Sequence, residues 1–257
     1  MKIQLLRHAS HVIEIGGIRF LVDPMLAPLG SYPAIKTFGN RLPNPMVPLP
    51  SIVSDEKKLP EFFKTIHAVL LTHLHFDHFD KTAMAALPKS LPILCQEGDE
   101  GRLREAGFSE VLPISHSLHF KGIEITRTDG RHGRGPTGKR MGHVSGYILK
   151  AREEPSLYIT GDTIWCKPVK EALDKYSPQI IVAYTGAARF MWSFPITMTA
   201  GDVLRVLKRA KNASVVAVHM EAVNHCSLTR EKLRRKVEKE GASSRIFIPG
   251  DGQALEL

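Results

Sequence analysis

Four side chains that can bind a metal lie within six residues of one another, directly after an apolar run. The apolar residues 68–71 have the composition of a buried strand, and His73, His75, Asp77 and His78 follow them. Side chains of a strand alternate faces, so His73 and His75 would leave the strand end on the same side, with Asp77 and His78 in the next turn. Burying these imidazoles and the carboxylate there without a metal or a hydrogen-bond partner would cost free energy. The pattern therefore predicts a metal site at a strand end.

Three further candidate ligands lie downstream. His132 stands in a loop rich in glycine and arginine, Asp162 follows a glycine after an apolar run, and His219 comes directly after the apolar residues 215–218. Taken singly, a Gly-Asp pair is often only a turn, and a lone histidine after a strand is often a hydrogen-bonded core residue. Taken with the first motif, these residues supply the further ligands that a pair of divalent ions needs.

These pieces, in this order, resemble the metallo-β-lactamase-fold hydrolase superfamily, and the resemblance covers nearly the whole chain. It implies an α+β fold, a four-layer αβ/βα sandwich of two mixed sheets packed face to face with helices outside. The order of the predicted elements fits such a sandwich, because strands come first in a run and helices join in later. We expect one metallo-hydrolase domain over residues 1–257.

The resemblance also implies a centre of two divalent metal ions. Its ligands would be His73, His75 and His132 on one metal, Asp77, His78 and His219 on the other, and Asp162 on both. Neutral imidazoles and carboxylates suit zinc, our first expectation, and also manganese or iron.

Two more histidines are candidates for the site. The resemblance implies that His8 lies beneath the metal centre, in contact with its ligands, whereas the position of His225, shortly after His219 in the sequence, suggests that it would reach the substrate. The implied reaction is attack on an ester, lactone or phosphodiester by a hydroxide bridging the two metals, formed because coordination lowers the pKa of water to about 7. Asp77 or His225 would then pass a proton to the leaving group.

Differences between this sequence and known branches of the superfamily narrow the possible substrate classes. Class B β-lactamases carry a cysteine ligand where this chain has Asp162, which argues against a β-lactam. The chain most resembles the branch that contains ascorbate-phosphate lactonase. The resemblance rests on His8-Ala9-Ser10, Leu21-Val22-Asp23-Pro24, the stretch from Gly142 to Gly146, and the stretch from His219 to His225. Two other classes stay open: a dinuclear-iron redox enzyme with the same ligands, and a non-catalytic binding protein on this fold.

Charge predicts an anionic small-molecule substrate. The chain has a net charge of +9, and Arg131, Arg134 and Arg140 surround the proposed ligand His132. A guanidinium there would bind a phosphate or carboxylate, although a merely solvated loop is the simpler alternative. Nucleic acid is not expected, because no aromatic residues interleave the basic run. The sequence leaves open whether the chain forms a homo-oligomer.

Composition predicts a soluble cytoplasmic protein. No apolar stretch approaches the ~18 residues of a membrane span, and the first residues become charged too soon for a signal peptide. Cys95, Cys166 and Cys226 form an odd, widely spaced set, which favours free thiols in a reducing compartment.

Two segments leave their role open. Residues 24–50 contain seven prolines, which forbid regular helix or central strand, yet they are too apolar for a linker. This segment is either a packed structural strap or a wall of the substrate pocket. The aromatic residues 190–195 are either core or an exposed lip beside the metals.

Overall fold

The computed structural model describes all 257 residues, which form strands and helices in alternating blocks. The strands are β1 (Lys2–Arg7), β2 (Ser10–Ile15), β3 (Ile18–Val22), β4 (Ala68–Leu70), β5 (Ile93–Gln96), β6 (Val111–Ile114), β7 (Ser117–Phe120), β8 (Ile123–Asp129), β9 (Ser145–Lys150), β10 (Leu157–Ile159), β11 (Ile180–Tyr184), β12 (Ser214–Val218), β13 (Ile246–Phe247) and β14 (Ala254–Glu256). The helices are α1 (Ser51–Ser54), α2 (Leu59–Lys64), α3 (Lys81–Ala86), α4 (Glu100–Glu105), α5 (Gly135–Met141), α6 (Lys167–Tyr176), α7 (Ala200–Arg209) and α8 (Arg230–Lys239), with a 3-10 turn at Ser243–Arg245. None of the helices is both long and apolar enough to cross a bilayer.

The strands form two seven-stranded sheets with matching layouts. The first sheet has the order β14-β1-β2-β3-β4-β5-β6, and the second has the order β13-β12-β11-β10-β9-β8-β7. In each sheet three neighbouring pairs are antiparallel and three are parallel. One apolar core lies between the two sheets. A second lies between the first sheet and its outer helices, and a third lies between the second sheet and its outer helices. The predicted four-layer α+β sandwich is confirmed.

Strand β11 shows how the sequence produces these layers. Ile180, Val182 and Tyr184 face the core between the sheets, whereas Ile181 and Ala183 face the helices. A strand buried on both faces needs a continuous apolar run, because its side chains alternate between two dry layers. The sequence of β11 is such a run, which excludes an edge or solvent-facing position.

Helix α7 covers the second sheet with one apolar stripe. Val203, Val206 and Leu207 are buried at the spacing of a helix face, and they pack in the outer core. Thr199 caps the helix by accepting a hydrogen bond from the Asp202 backbone, and the Asp202 carboxylate accepts one from the Thr199 backbone. The sequence therefore specifies both where α7 begins and which face it buries.

The proline-rich segment at residues 24–50 is held by two buried polar side chains. The Arg7 guanidinium donates to the carbonyls of Met25 at 2.7 Å, Ala27 at 3.0 Å and Val47 at 3.1 Å. Asn224 donates to the Ile35 carbonyl at 2.8 Å and accepts from the Ile35 amide at 2.9 Å. Irregular backbone must find hydrogen-bond partners of this kind, since it has no ladder of its own.

Several elements differ from what the sequence suggests. The sequence pattern predicts none of β5, β6, β14, α1, α2 and α5, and it predicts a helix over residues 97–106, where the structure has α4 at Glu100–Glu105. The strand before His73 ends at Leu70, so the histidines lie on a loop rather than on the strand end. Short parallel strands such as β5 have four residues and no alternation, because both faces are buried.

Replacing Arg7 by methionine is expected to destabilise the protein, because three carbonyls lose their donor. An unsatisfied buried group costs about 1–3 kcal/mol, so the free energy of unfolding should fall by about 3 kcal/mol or more. Urea unfolding followed by circular dichroism measures this change. Arg102→Met, at an exposed position of α4, is the matched control, and an equal midpoint in the two variants would contradict the argument.

Candidate metal centre

The carboxyl ends of strands from both sheets meet at one edge of the sandwich, and the polar residues of interest follow those ends. In the first sheet, β1 leads into His8, β3 into Asp23, and β4 into the loop that holds His73 to His78. In the second sheet, β8 leads into His132, β10 into Asp162, and β12 into His219. These strands run in the same direction within their sheets, so their carboxyl ends share an edge.

Three of these residues turn the chain sharply. His8, Asp23 and His219 have φ values of 58°, 44° and 68°. Residues other than glycine seldom adopt this left-handed backbone conformation. The His219 amide donates to the His8 carbonyl at 2.8 Å, which ties the end of the second sheet to the end of the first. Strain of this kind persists only where the surroundings enforce it, and it concentrates at functional sites.

The first group of imidazoles comprises His73, His75 and His132. Their nearest ring nitrogens lie within 4.8 Å of one another. His73 Nε2 lies 2.9 Å from His75 Nδ1. Nitrogens at these separations can converge on one ion.

The second group comprises Asp77, His78, His219 and His8, whose candidate ligand atoms also lie within 4.8 Å of one another. His78 Nε2 lies 3.2 Å from His219 Nε2, and each of these nitrogens is 4.0 Å from Asp77 Oδ2. His8 Nε2 donates to Asp77 Oδ2 at 3.3 Å. In that position His8 orients a carboxylate that faces two imidazoles.

Asp162 lies between the two groups. Its Oδ2 is 3.3 Å from His78 Nε2 and 3.4 Å from His132 Nε2, and its Oδ1 is 3.0 Å from His219 Nε2. Oδ1 has no aligned hydrogen-bond donor despite that short distance. The preceding Gly161 has φ 62°, and a Cβ there would collide with the Ser145 carbonyl. One carboxylate thus contacts members of both groups.

The outer ring nitrogens show that these residues fit a metal. His78 Nδ1 donates to Asp23 Oδ2 at 2.9 Å, and His132 Nδ1 donates to the Ile196 carbonyl at 2.9 Å. His73 Nδ1 donates to Thr72 Oγ1 at 3.1 Å, since that hydroxyl gives its own proton to Asp23. The inner nitrogens then point lone pairs at each other and at carboxylates, an arrangement that a cation satisfies and hydrogen bonds alone do not.

Burial and neighbouring charges hold Asp162 and His73 in the forms that metals bind, and they create a negative field around His78. Burial would raise the pKa of Asp162, but His219 and His78 outweigh it and hold that pKa well below its usual range. Burial lowers the pKa of His73 well below its usual value, which keeps the ring neutral. Burial opposes charge on His78 too, but Asp162, Asp23 and Asp77 together raise its pKa. The negative field that would charge His78 is the field that holds a metal cation.

Asp23 is a site residue that the sequence analysis names only as part of the branch resemblance, without a role at the metal centre. Its Oδ2 accepts from Thr72 Oγ1 at 2.7 Å, Tyr184 Oη at 2.8 Å and His78 Nδ1 at 2.9 Å, and its Oδ1 accepts from the Thr72 amide at 2.8 Å. Neither Asp23 nor Tyr184 has a metal-ligand spacing to any other residue. The available signal was a lone acidic residue after an apolar strand and before a proline, which more often marks a turn.

A cavity of about 230 Å³ opens onto the metal centre. Its polar lining comprises His75, Asp77, His132, Asp162 and His225, and its apolar lining comprises Ile35, Phe76, Met141, Phe190 and Ile196. The proline-rich segment therefore contributes a pocket wall through Ile35 while it is held as a strap by Arg7 and Asn224. Larger cavities exist elsewhere, but their linings contain none of the clustered ligands.

His225 stands apart from the two ligand groups and faces this cavity. Its ring stacks on Phe190 with centroids 5.8 Å apart, and its Nδ1 has no hydrogen-bond partner. Burial lowers the pKa of His225 to about 4, so the ring is neutral at pH 7. Its predicted contact with substrate stays a prediction, but the position permits it.

The three arginines lie outside the cavity. Arg131, Arg134 and Arg140 are exposed, and none lines it. Arg131 lines a separate open cavity with Lys139 and His143. Residues 135–141 form α5, which separates Arg134 from Arg140 by nearly two turns. Direct substrate binding by these side chains stays a prediction.

The two-sheet sandwich with a histidine and aspartate cluster at its strand ends defines the class of metallo-β-lactamase-fold hydrolases. The family model described as Beta-lactamase superfamily domain matches residues 19–220. The UPF0173 protein YddR from Bacillus subtilis is 36% identical over 257 residues and covers 99% of both chains. The chain therefore belongs to the β-lactamase superfamily and, within it, to the UPF0173 family.

Two solved structures are similar over their full length. A possible metal-dependent hydrolase from Veillonella parvula is 34% identical with a TM-score of 0.94, and the match covers 100% of this chain and 99% of that one. An isothiocyanate hydrolase from Delia radicum gut bacteria is 37% identical with a TM-score of 0.92 and the same coverage. The superfamily prediction is confirmed, and the protein is a metal-dependent hydrolase with a cluster able to bind metal. The ascorbate-phosphate lactonase branch stays a prediction.

Replacing Asp23 by asparagine is expected to weaken metal binding without removing a ligand. The amide cannot accept from Tyr184, His78 and Thr72 together, so His78 loses its fixed orientation. Loss of such a supporting partner typically costs about 10–100-fold in metal affinity. Competition with a chromophoric chelator measures the affinity for zinc. Asp55→Asn, outside the cluster, is the control, and equal affinities in the two variants would refute this role.

Proposed function

We propose that this protein hydrolyses small electrophiles with apolar substituents, and that isothiocyanates are its substrate class. The observation that carries the proposal is the lining of the cavity at the metal centre. Five apolar side chains face a cavity that contains no lysine or arginine. An apolar tail would be bound by burial against these walls. The isothiocyanate hydrolase that is 37% identical supports this class.

The ligand groups described above would hold two divalent ions, which we propose to be zinc. When bound, such ions would supply a hydroxide at neutral pH by lowering the pKa of water from 15.7 to about 7. Asp77, oriented by His8, and Asp162, shared by both groups, would provide the negative charge that balances the ions. The chain's own contribution is a fixed, largely dry set of ligands.

Hydrolysis of an isothiocyanate needs one water and yields two products. The water oxygen adds to the central carbon, the carbon–nitrogen bond breaks, and both water protons end on nitrogen, giving an amine and carbonyl sulfide. A group near the leaving nitrogen must deliver a proton. The neutral His225 ring is placed to hydrogen-bond that nitrogen, because its Nδ1 is unpartnered and its ring lines the cavity. Asp77 is the alternative proton carrier.

Esters, lactones and phosphodiesters of anionic molecules form a second substrate class, in which the bond type follows from the family resemblance and the anionic character from the charge of the chain. Arg131 and its neighbours would act on such substrates during approach, since they are exposed and outside the cavity. We also propose a cytoplasmic location for a single hydrolase domain, supported by three free cysteines.

Removing a metal ligand is expected to abolish isothiocyanate hydrolysis. His75→Ala or Asp162→Ala should reduce the release of amine from butyl isothiocyanate to the background rate, and chelation of the wild type should do the same until zinc is restored. His119→Ala, an exposed histidine outside the cluster, should retain full activity. Amine release that survives both the ligand substitutions and chelation would exclude a metal-dependent reaction.

Two sets of variants distinguish the substrate classes. Phe190→Ala removes an apolar wall and should raise KM for butyl isothiocyanate about tenfold, the effect of losing about 1.5 kcal/mol of buried contact. Tyr176→Ala, an aromatic outside the cavity, is its control. A triple variant of Arg131, Arg134 and Arg140 to alanine should leave that KM unchanged. A tenfold rise in KM confined to an anionic ester in this triple variant would instead support the anionic class.

A further inference from the structure

The exposed large hydrophobic side chains of this protein are concentrated in two segments. Six of the seven such residues lie in the proline-rich segment or in the loop after β11: Leu29, Phe38, Leu42, Met191, Trp192 and Phe194. We call these six residues the aromatic surface. Trp192 is 87% exposed, Phe194 is 74% exposed and Phe38 is 54% exposed. A concentration of this kind on a protein surface usually marks a binding site.

The two segments contact each other. Phe38 and Trp192 meet edge to face, with ring centroids 4.8 Å apart and an interplanar angle of 87°. The Met191 amide donates to the Lys36 carbonyl at 3.2 Å, and Thr37 Oγ1 donates to the Arg189 carbonyl at 3.2 Å. Trp192 has φ 64°, a left-handed backbone conformation that residues other than glycine seldom adopt. Its indole is nevertheless largely exposed to solvent.

The charges within these segments all have one sign. Residues 24–50 contain only Lys36 and Arg41, and residues 189–195 contain only Arg189. All three are exposed, and neither segment has an acidic residue. A partner for this surface must accept aromatic rings and also carry negative charge.

An anionic phospholipid bilayer meets both requirements better than a second copy of the chain. A two-fold contact through the same surface would oppose three basic residues on each side with no acidic residue between them. In a bilayer, tryptophan and phenylalanine rings settle at the level of the headgroups, and basic residues next to them attract the anionic lipids. Both features occur here on one face.

We propose that the aromatic surface docks this protein on anionic phospholipid bilayers. Docking would bring the metal-centre cavity near the bilayer, because Ile35 and Phe190, which line that cavity, belong to the same two segments. Apolar electrophiles partition into bilayers, so a docked enzyme would meet them where they are concentrated. That consequence rests on the proposed function, whereas the docking itself does not.

Fluorescence provides a direct test, because the chain has two tryptophans. Trp165→Phe leaves Trp192 as the only indole. Phosphatidylglycerol vesicles should shift its emission to the blue and carry the protein into the pellet on sedimentation, whereas phosphatidylcholine vesicles should do neither. High salt should release the protein, since the attraction of exposed charges is screened.

Two sets of variants separate the apolar and the charged parts. Replacing Phe38, Trp192 and Phe194 by serine should abolish sedimentation with anionic vesicles. Replacing Lys36, Arg41 and Arg189 by glutamine should weaken partitioning about a hundredfold, from about fivefold for each charge near the surface. Glutamine at Lys208, Lys211 and Lys232 removes the same charge from exposed positions elsewhere and should weaken it much less.

Several outcomes would overturn the proposal. Equal binding to the two vesicle types, or equal weakening by both charge variants, would show that the surface does not select anionic lipid. A dimer without vesicles that dissociates on the serine substitutions, with no vesicle binding, would identify a second copy as the occupant. The serine variant should still hydrolyse butyl isothiocyanate in solution, whether or not the docking proposal holds. If the proposed function is wrong, no variant will hydrolyse this compound, so the two failures can be told apart.

Discussion

The Asp23 carboxylate is the interaction on which the rest of the site depends. It stands at the end of β3 in the first sheet and accepts a hydrogen bond from Tyr184 at the end of β11 in the second. The same carboxylate orients His78 directly and His73 through Thr72. A buried carboxylate is tolerated only when its oxygens are satisfied, so its four donors must all be in place at once. The relative position of the two sheets and the orientation of the metal ligands are therefore fixed together.

A second constraint couples the cavity to the proline-rich segment. Asn224 is buried and holds the backbone of Ile35, while its neighbour His225 faces the cavity that Ile35 lines. Asn44 completes this contact by accepting from the Asn224 amide at 2.8 Å. A segment without regular secondary structure thus forms a defined wall, because Asn224 fixes the backbone at Ile35 while Arg7 binds carbonyls at both ends of the segment. The same contacts bring the aromatic surface beside the cavity.

The features of this structure that can be predicted from the sequence are those with a local hydrophobic periodicity or with several metal-binding side chains close together in the chain. The cluster from His73 to His78 needs no tertiary information to be noticed, and β11 and α7 follow from runs whose period matches their environment. Asp23 and Tyr184 lack such a signal, since their role arises from contacts between residues 161 positions apart. The orientation of the arginines around His132 was equally out of reach, because it depends on α5, a helix that starts with glycine and proline and has no buried face.

Charge and apolar contact are separated in this protein, and the separation assigns them different tasks. The cavity beside the metal centre contains carboxylates and imidazoles but no lysine or arginine, whereas the basic residues of the surrounding loops are exposed to water. An exposed guanidinium is screened within about 10 Å at moderate salt, so it acts on how a molecule approaches more than on how tightly it is held. A buried apolar wall instead increases the binding affinity, because it stabilises a molecule only after that molecule has left the water. The net positive charge of the chain and the apolar lining of its cavity are therefore compatible: the first governs what comes near the site, and the second governs what remains in it.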